Sequence, residues 1–137
     1  MSSKGWIGVD LDGTLAEYNG WKGAGHIGAP IKPMVERVKR WLAEGRDVRI
    51  FTARVYAPDY FEPTDENAES YREMMDRRHD AKKAKIAIDR FCLEHFGREL
   101  EVTCTKDYGM LEVWDDRAVQ VIPNSGIRVD GTEALAA

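Results

Sequence analysis

The fold is predicted most directly by one stretch of the chain, Trp6–Thr14, which has the sequence WIGVDLDGT. Its first part, Trp6–Val9, is a short apolar run that ends abruptly at Asp10. Such a run is typical of a buried strand whose end carries a polar residue. Asp12 follows after one intervening residue, and Gly13 permits the unusual backbone angles of a turn. The stretch therefore predicts a strand that brings two carboxylates toward the same place.

The elements that follow this strand predict an α/β fold. Apolar residues spaced three and four apart predict a helix over Pro30–Glu44, which Gly45 ends. A second strand is predicted at Asp47–Thr52, again with a polar residue at its end. The order of strand, helix and strand implies a right-handed parallel crossover. The region from Pro63 to Gly97 is predicted to be mostly helical, and its pattern leaves open whether it forms one helix or two.

Three further strands are predicted in the second half of the chain, at Leu100–Thr103, Leu111–Trp114 and Ala118–Ile122. Together the elements predict an α/β sandwich that forms a single domain over residues 1–129. A flexible tail is expected at residues 130–137.

Composition limits the classes of protein to which the chain can belong. Its 137 residues are 43% hydrophobic, which is enough for one packed core. The formal net charge of −4 argues weakly against a nucleic-acid backbone as the main partner. Cys92 and Cys104 are too few for a disulfide framework; one pair could still form, but we expect two buried thiols. No signal-peptide core and no apolar run near the ~20 residues that cross a bilayer is present, so we expect a soluble, cytoplasmic protein.

Polar residues at the ends of three predicted strands are candidate site residues. Ligands of open parallel sheets bind beyond the carboxyl ends of the strands, where Asp10, Thr52 and Asp115 all fall. Paired carboxylates can share a hard cation. Asp115 and Asp116 would repel each other unless something positive lies between them. The plain alternatives are an Asp-Gly turn after the first strand, a threonine that caps a helix, and an acid that faces solvent.

Taken together, these elements resemble the haloacid dehalogenase superfamily of phosphohydrolases. The resemblance rests on DxDGT at Asp10–Thr14, the strand-end Thr52, Lys106, and the Trp114-Asp115-Asp116 sequence. It covers about residues 5–125 in the order of the family's motifs. It implies a three-layer sandwich with a central, mainly parallel Rossmann-like sheet. The spacing of the motifs leaves no room for a cap domain, so the chain resembles the small capless members.

The resemblance implies a magnesium-dependent phosphatase that hydrolyses a phosphate monoester. Asp10 would be the nucleophile that forms an aspartyl-phosphate, and Asp12 the general acid and then the general base. Thr52 would hydrogen-bond the transferring phosphoryl group, and Lys106 would balance its negative charge. Lys82, Lys83 and Lys85 remain alternatives for the site lysine.

The resemblance also implies a metal site and a phosphate site. Mg²⁺ would be bound by Asp115, with or without Asp116, alongside the Asp10 carboxylate and the backbone carbonyl of Asp12. The residues expected to contact the phosphate follow the second strand or precede the fourth: Thr52, Ala53, Arg54 and Lys106. Arg54 and Arg117 have a second interpretation, in which each pairs with a local carboxylate.

Two segments are candidates for the rim of the site. Glu17–Ala29 contains Tyr18, Trp21 and His26 and is either a flap over the site or a glycine-rich connection whose Trp packs on the core, which we favour. The other segment is Val55–Pro63.

The open site leaves the substrate undetermined. A phosphorylated small molecule and an exposed phosphate on a macromolecule both fit, and another subunit of a homo-oligomer could close the site. The alternatives to a phosphomonoesterase are a polynucleotide end phosphatase and a non-catalytic module that binds Mg²⁺ or phosphate. The basic run Arg72–Lys85 does not favour nucleic acid, because acids interleave with it.

Overall fold

This computed structural model describes residues 5–131, in which strands and helices alternate until the last two strands follow one another. The elements are β1 (Trp6–Val9), α1 (Lys32–Ala43), β2 (Asp47–Phe51), a 3₁₀ turn (Ala53–Val55), α2 (Ala68–Phe96), β3 (Val102–Thr103) and β4 (Met110–Trp114). Most of the tail predicted at residues 130–137 lies outside the described residues.

The four strands form one parallel sheet in the order β3-β2-β1-β4. In the centre of the sheet, Val9 of β1 lies opposite Ile50 of β2 and Trp114 of β4. Since the strands are parallel and in this register, their carboxyl ends meet at one edge. The prediction of an α/β fold with a mainly parallel sheet is confirmed.

The fifth strand predicted at Ala118–Ile122 is wrong. This segment turns back on itself, and the backbone N–H of Ile122 donates to the carbonyl of Ile127 at 2.8 Å. Val129 closes the same loop by donating to the carbonyl of Gln120 at 2.9 Å. Because its backbone groups pair with this returning chain, the segment does not extend the sheet. Its apolar side chains remain exposed.

The core lies between the helices and one face of the sheet. Alternate residues of the two central strands, such as Ile7 and Ile50, point into it, as the two-residue period of a strand requires. Helix α1 adds Val38, and α2 adds Ile88 and Cys92. The open question about the region before Gly97 is answered by a single helix of 29 residues.

The structure also bears on the predictions about the cysteines and about membrane-spanning segments. Cys92 is buried and Cys104 is exposed, so the prediction of two buried thiols is wrong for Cys104. Burial raises the pKa of the Cys92 thiol to about 11. Within residues 5–131, no helix combines the length and the apolar content that crossing a bilayer requires.

Candidate active site

Three carboxylates converge where β1 and β4 end. Asp10 directly follows β1, and its backbone N–H donates to the carbonyl of Trp114 at 2.8 Å, which continues the pairing of the strands by one residue. Asp115 and Asp116 directly follow β4. One carboxylate oxygen from each of these three acids lies within 4.8 Å of the other two. The register of the two strands therefore creates the cluster.

The turn after β1 explains why glycine and threonine follow the acids. Gly13 has a φ of +86°, and a Cβ atom there would lie 2.5 Å from Oδ2 of Asp116. The next residue, Thr14, accepts a hydrogen bond from the backbone N–H of Asp116 through its hydroxyl oxygen at 3.0 Å. The first turn thus holds the acid of the last strand in place.

Electrostatic repulsion is built into this cluster. Burial raises the pKa of Asp10 to about 7, and the negative charges of Asp115 and Asp116 contribute to the increase. A nearby cation stabilises the ionised form of a carboxyl group that lies beside two other acids. Carboxylate oxygens are the donors that Mg²⁺ and Ca²⁺ prefer. The three acids therefore fit a divalent cation of this kind.

Thr52 lies beside the cluster at the end of β2. It is 4% exposed, and its backbone N–H donates to the carbonyl of Thr103 at 2.9 Å. Its hydroxyl oxygen accepts a hydrogen bond from the backbone N–H of Arg54 at 3.1 Å, so the hydroxyl proton remains available to a ligand. Ala53 is exposed and lines the same cavity.

The carboxylate of Asp12 is not part of the cluster formed by Asp10, Asp115 and Asp116, because it pairs with Arg54. Nε of Arg54 donates to Oδ2 of Asp12, and Nη2 donates to Oδ1, both at 2.8 Å. The side chain of Arg54 is 6% exposed and that of Asp12 is 21% exposed. Nη1 of Arg54 also donates to the carbonyl oxygens of His26 at 2.7 Å and Ala24 at 3.3 Å. The second interpretation of Arg54 is thus the observed one, with a carboxylate that is distant in sequence.

A cavity of about 740 Å³ connects these groups. Asp10, Asp12, Thr52, Asp115 and Asp116 all line it. Three aromatic side chains form its rim: Tyr18, Trp21 and Tyr56. Trp21 is 58% exposed, so the expectation that it packs on the core is wrong.

The predicted site lysine is not brought to this cavity. Lys106 is exposed in the connection between β3 and β4, and it does not line the cavity. Lys82, Lys83 and Lys85 do not line it either, and Lys85 pairs with Asp89 at 2.6 Å. The cationic side chains that do line it are those of Arg54, Arg77 and Arg117. A catalytic role for Lys106 stays a prediction that the geometry does not support.

Sequence reasoning missed three residues with ionisable side chains that line the cavity. Arg77 and Asp80 lie one turn apart on α2, and Cys104 follows β3. The charged run on α2 carries no pattern that indicates a site, and only the packing of that helix beside the 3₁₀ turn after Thr52 places Arg77 and Asp80 at the cavity. No local signal in the sequence could have identified them.

Comparisons of the chain with protein-family models, with curated proteins and with solved structures found no match. The chemical interpretation of the site therefore rests on the geometry of its own residues.

Proposed function

We propose that this protein is a magnesium-dependent phosphatase that hydrolyses a phosphate monoester through an aspartyl-phosphate on Asp10. The observation that carries the proposal is the convergence of the Asp10, Asp115 and Asp116 oxygens within 4.8 Å, in a cavity that Asp12 and Thr52 also line. A cation site, a nucleophile, a proton donor and a hydroxyl donor are the groups that phosphoryl transfer requires. In this proposal the domain carries no cap, which leaves the cavity open.

The reaction has two steps on the residues of this chain. In the first step the Asp10 carboxylate attacks phosphorus, the bond to the leaving oxygen breaks, and Asp12 gives that oxygen a proton. In the second step Asp12 takes a proton from water, which attacks phosphorus and releases inorganic phosphate and the free Asp10 carboxylate. Thr52 donates its hydroxyl proton to the phosphoryl oxygens throughout. Mg²⁺, bound by the three acids, would neutralise charge between the anionic nucleophile and the anionic phosphate.

Arg54 must release Asp12 before the first step. Both carboxylate oxygens of Asp12 accept hydrogen bonds from Arg54, so neither is free to donate a proton to a leaving group. A phosphate offers the same two-oxygen geometry to a guanidinium as a carboxylate does. We therefore infer that Arg54 exchanges Asp12 for the substrate phosphate. Arg54 would then supply part of the positive charge that the family resemblance assigns to Lys106.

The pairing of Asp12 with Arg54 also favours a second candidate, a module that binds Mg²⁺ and phosphate without turnover. In that case the pair is permanent and Asp12 never acts as an acid. Substitution of Asp12 separates the two candidates. Asp12→Asn abolishes hydrolysis if Asp12 is the general acid, whereas a binding module shows no hydrolysis in either form.

The test is hydrolysis of a panel of phosphate monoesters with and without Mg²⁺. We expect Asp10→Asn to lower kcat by at least about a thousandfold, since it removes the nucleophile. The matched control is Asp65→Asn, an exposed acid before α2 that should retain full activity. Substrate labelled with ³²P should leave label on Asp10 in the wild type but not in Asp10→Asn. Turnover that survives Asp10→Asn would contradict the proposal.

A further inference from the structure

Three exposed aromatic side chains face the cavity that holds the catalytic carboxylates. Tyr18 is 43% exposed, Tyr56 is 55% exposed and Trp21 is 58% exposed. They come from two separate segments, one after β1 and one after β2. An isolated exposed apolar residue is ordinary, but a group of aromatics around a polar cavity is typical of a binding site.

Trp21 is linked to the proposed general acid, Asp12, through Arg54. The guanidinium carbon of Arg54 lies 4.9 Å from the centroid of the Trp21 ring, and the same guanidinium is bound to Asp12. Since one face of the ring packs on Arg54 while the side chain remains 58% exposed, its other face is open to solvent. A flat ligand group could stack there a short distance from the reacting phosphate.

Besides the three acids and the Arg54–Asp12 pair, the charged residues that line the cavity are Arg77, Arg117 and Asp80, and the two arginines outnumber the one acid. Arg77 and Arg117 line the cavity, and within residues 5–131 neither guanidinium lies in an ion pair with a carboxylate. The cavity, at about 740 Å³, falls in the range of pockets that hold a whole small-molecule ligand. The three acids and Thr52 account for only four of the fifteen residues that line it.

We propose that the substrate is a nucleotide whose base stacks on the open face of Trp21 beside Tyr18 and Tyr56. This inference rests on the proposed function, since the phosphate of the nucleotide is the one that Asp10 attacks. Stacking on aromatic side chains binds a base with little dependence on its identity. The nucleoside oxygen leaves with the proton from Asp12, and the products are a nucleoside and inorganic phosphate. The phosphate can belong to a free nucleotide or to the end of an oligonucleotide.

The first experiment compares kcat/KM for nucleoside monophosphates with kcat/KM for glycerol phosphate, which has no ring. We expect Trp21→Ala to lower the ratio of the two values about tenfold to a hundredfold, the effect of losing one base–aromatic stack. Trp21→Phe should keep most of the ratio. Tyr56→Ala should lower the ratio too. Among residues 5–131 the Arg54 guanidinium stacks on the Trp21 ring and not on the Tyr56 ring, so Tyr56→Ala tests stacking apart from the Arg54–Asp12 pair. The control is Tyr108→Ala, the most exposed aromatic residue of the described chain, which lies outside this cavity.

A ratio that Trp21→Ala and Tyr56→Ala both leave unchanged would overturn the base site. Equal losses on the two substrates would do the same, because they would show that the aromatics serve the general chemistry and not the base. A 5′- and a 3′-phosphorylated oligonucleotide, added to the comparison, identify the source of the nucleotide. Preference for either oligonucleotide or for the free nucleotide over glycerol phosphate supports the base site.

A binding measurement separates this inference from the proposed phosphatase. Adenosine monophosphate is titrated into Asp10→Asn protein with Mg²⁺, and tryptophan fluorescence is followed in that background with and without Trp21→Phe. Quenching that Trp21→Phe removes supports the base site even if no monoester is ever hydrolysed. Hydrolysis of many monoesters without such quenching would support the proposed phosphatase activity and overturn the base site.

Discussion

At the scale of single residues, the site depends on a close approach between the turn after β1 and the end of β4. Gly13 has a positive φ, and its α-carbon leaves no room for a side chain beside Asp116. Thr14 completes the contact through the backbone N–H of Asp116. These two contacts give the glycine and the threonine of the DxDGT motif a structural reason: both position an acid that lies about a hundred residues away.

Gly13→Ala should damage the proposed metal site as well as the fold. The added Cβ meets the Asp116 carboxylate at 2.5 Å and also forces a positive φ on alanine, so we expect a stability loss of about 1–3 kcal/mol. The matched control is Gly23→Ala, because Gly23 has a φ of +103° but open space around its Cβ position. Urea unfolding should show a loss in both variants, and isothermal titration with Mg²⁺ should show weaker binding only in Gly13→Ala. Equal Mg²⁺ affinity in the two variants would contradict this account.

Asp10→Asn should stabilise the metal-free protein at neutral and alkaline pH. The pKa of Asp10 is about 7 in the folded protein against 3.8 for an ordinary aspartate, so the folded state binds its proton more tightly than the unfolded state does. Stability therefore falls as the pH rises from about 4 to about 7, and the whole penalty is present above pH 7. The size of the pKa shift limits the stability that Asp10→Asn can add to about 4 kcal/mol. Because the site is open to solvent, we expect a gain in the free energy of unfolding of about 1–2 kcal/mol.

The measurement is urea unfolding in a chelator at pH 4 and pH 8. The variant should match the wild type at pH 4 and exceed it at pH 8, while the exposed control Asp65→Asn should show no such dependence. If Asp10→Asn has the same free energy of unfolding as the wild type at pH 8, the charge of Asp10 does not destabilise the folded protein.

At the scale of elements, helix α2 both packs in the core and contributes charged residues to the cavity. Its buried face packs Ile88 and Cys92 into the core, and its Arg77 and Asp80 line the cavity. It runs unbroken over 29 residues and ends at Gly97, whose φ of 73° suits the left-handed end of a helix. Because it is one continuous helix, its packing in the core also sets the position of its charges at the site.

Substitution of two neighbouring isoleucines tests the orientation of α2. Ile88 is fully buried, whereas Ile86, two positions earlier, is 54% exposed. We expect Ile88→Ala to lower the free energy of unfolding by about 2–5 kcal/mol through lost burial and a cavity. Ile86→Ala should change it by less than about 0.5 kcal/mol, as for other surface substitutions. Similar losses in the two variants, measured by urea unfolding, would mean that the helix is rotated from the orientation described.

At the scale of the whole molecule, the parallel sheet creates the site. Three neighbouring strands end at one edge, and each delivers a polar residue there: Asp10 after β1, Thr52 after β2 and Asp115 after β4. The repulsion among the acids opposes folding, and a bound cation would offset it. Stability and metal binding should therefore be coupled.

Mg²⁺ should raise the melting temperature in a concentration-dependent way. A ligand that binds only the folded state adds about 2.7 kcal/mol when its concentration is a hundred times its Kd. Asp115→Asn should remove most of the increase because it takes away one of the three clustered carboxylates. Asp65→Asn should keep it. Thermal unfolding with and without chelator makes the comparison, and an increase that persists in Asp115→Asn would place the metal elsewhere.

The amino-acid sequence by itself determined the local elements and the candidate acids. Apolar runs that end in Asp10, Thr52 and Asp115 predicted three strands and their polar ends, because strand burial and chain reversal are encoded within a few residues. The same reasoning failed for Ala118–Ile122, where an apolar pattern pairs with a returning chain and not with the sheet.

Only the tertiary structure decided which charged groups share the cavity. The pairing of Asp12 with Arg54, the arrival of Arg77 from α2, the absence of Lys106 from the cavity lining and the exposure of Trp21 all depend on how distant segments pack. The sequence around a charged surface residue does not indicate the direction in which its side chain points. Its electrostatic partner is fixed by distance in space, which the order of residues along the chain does not specify.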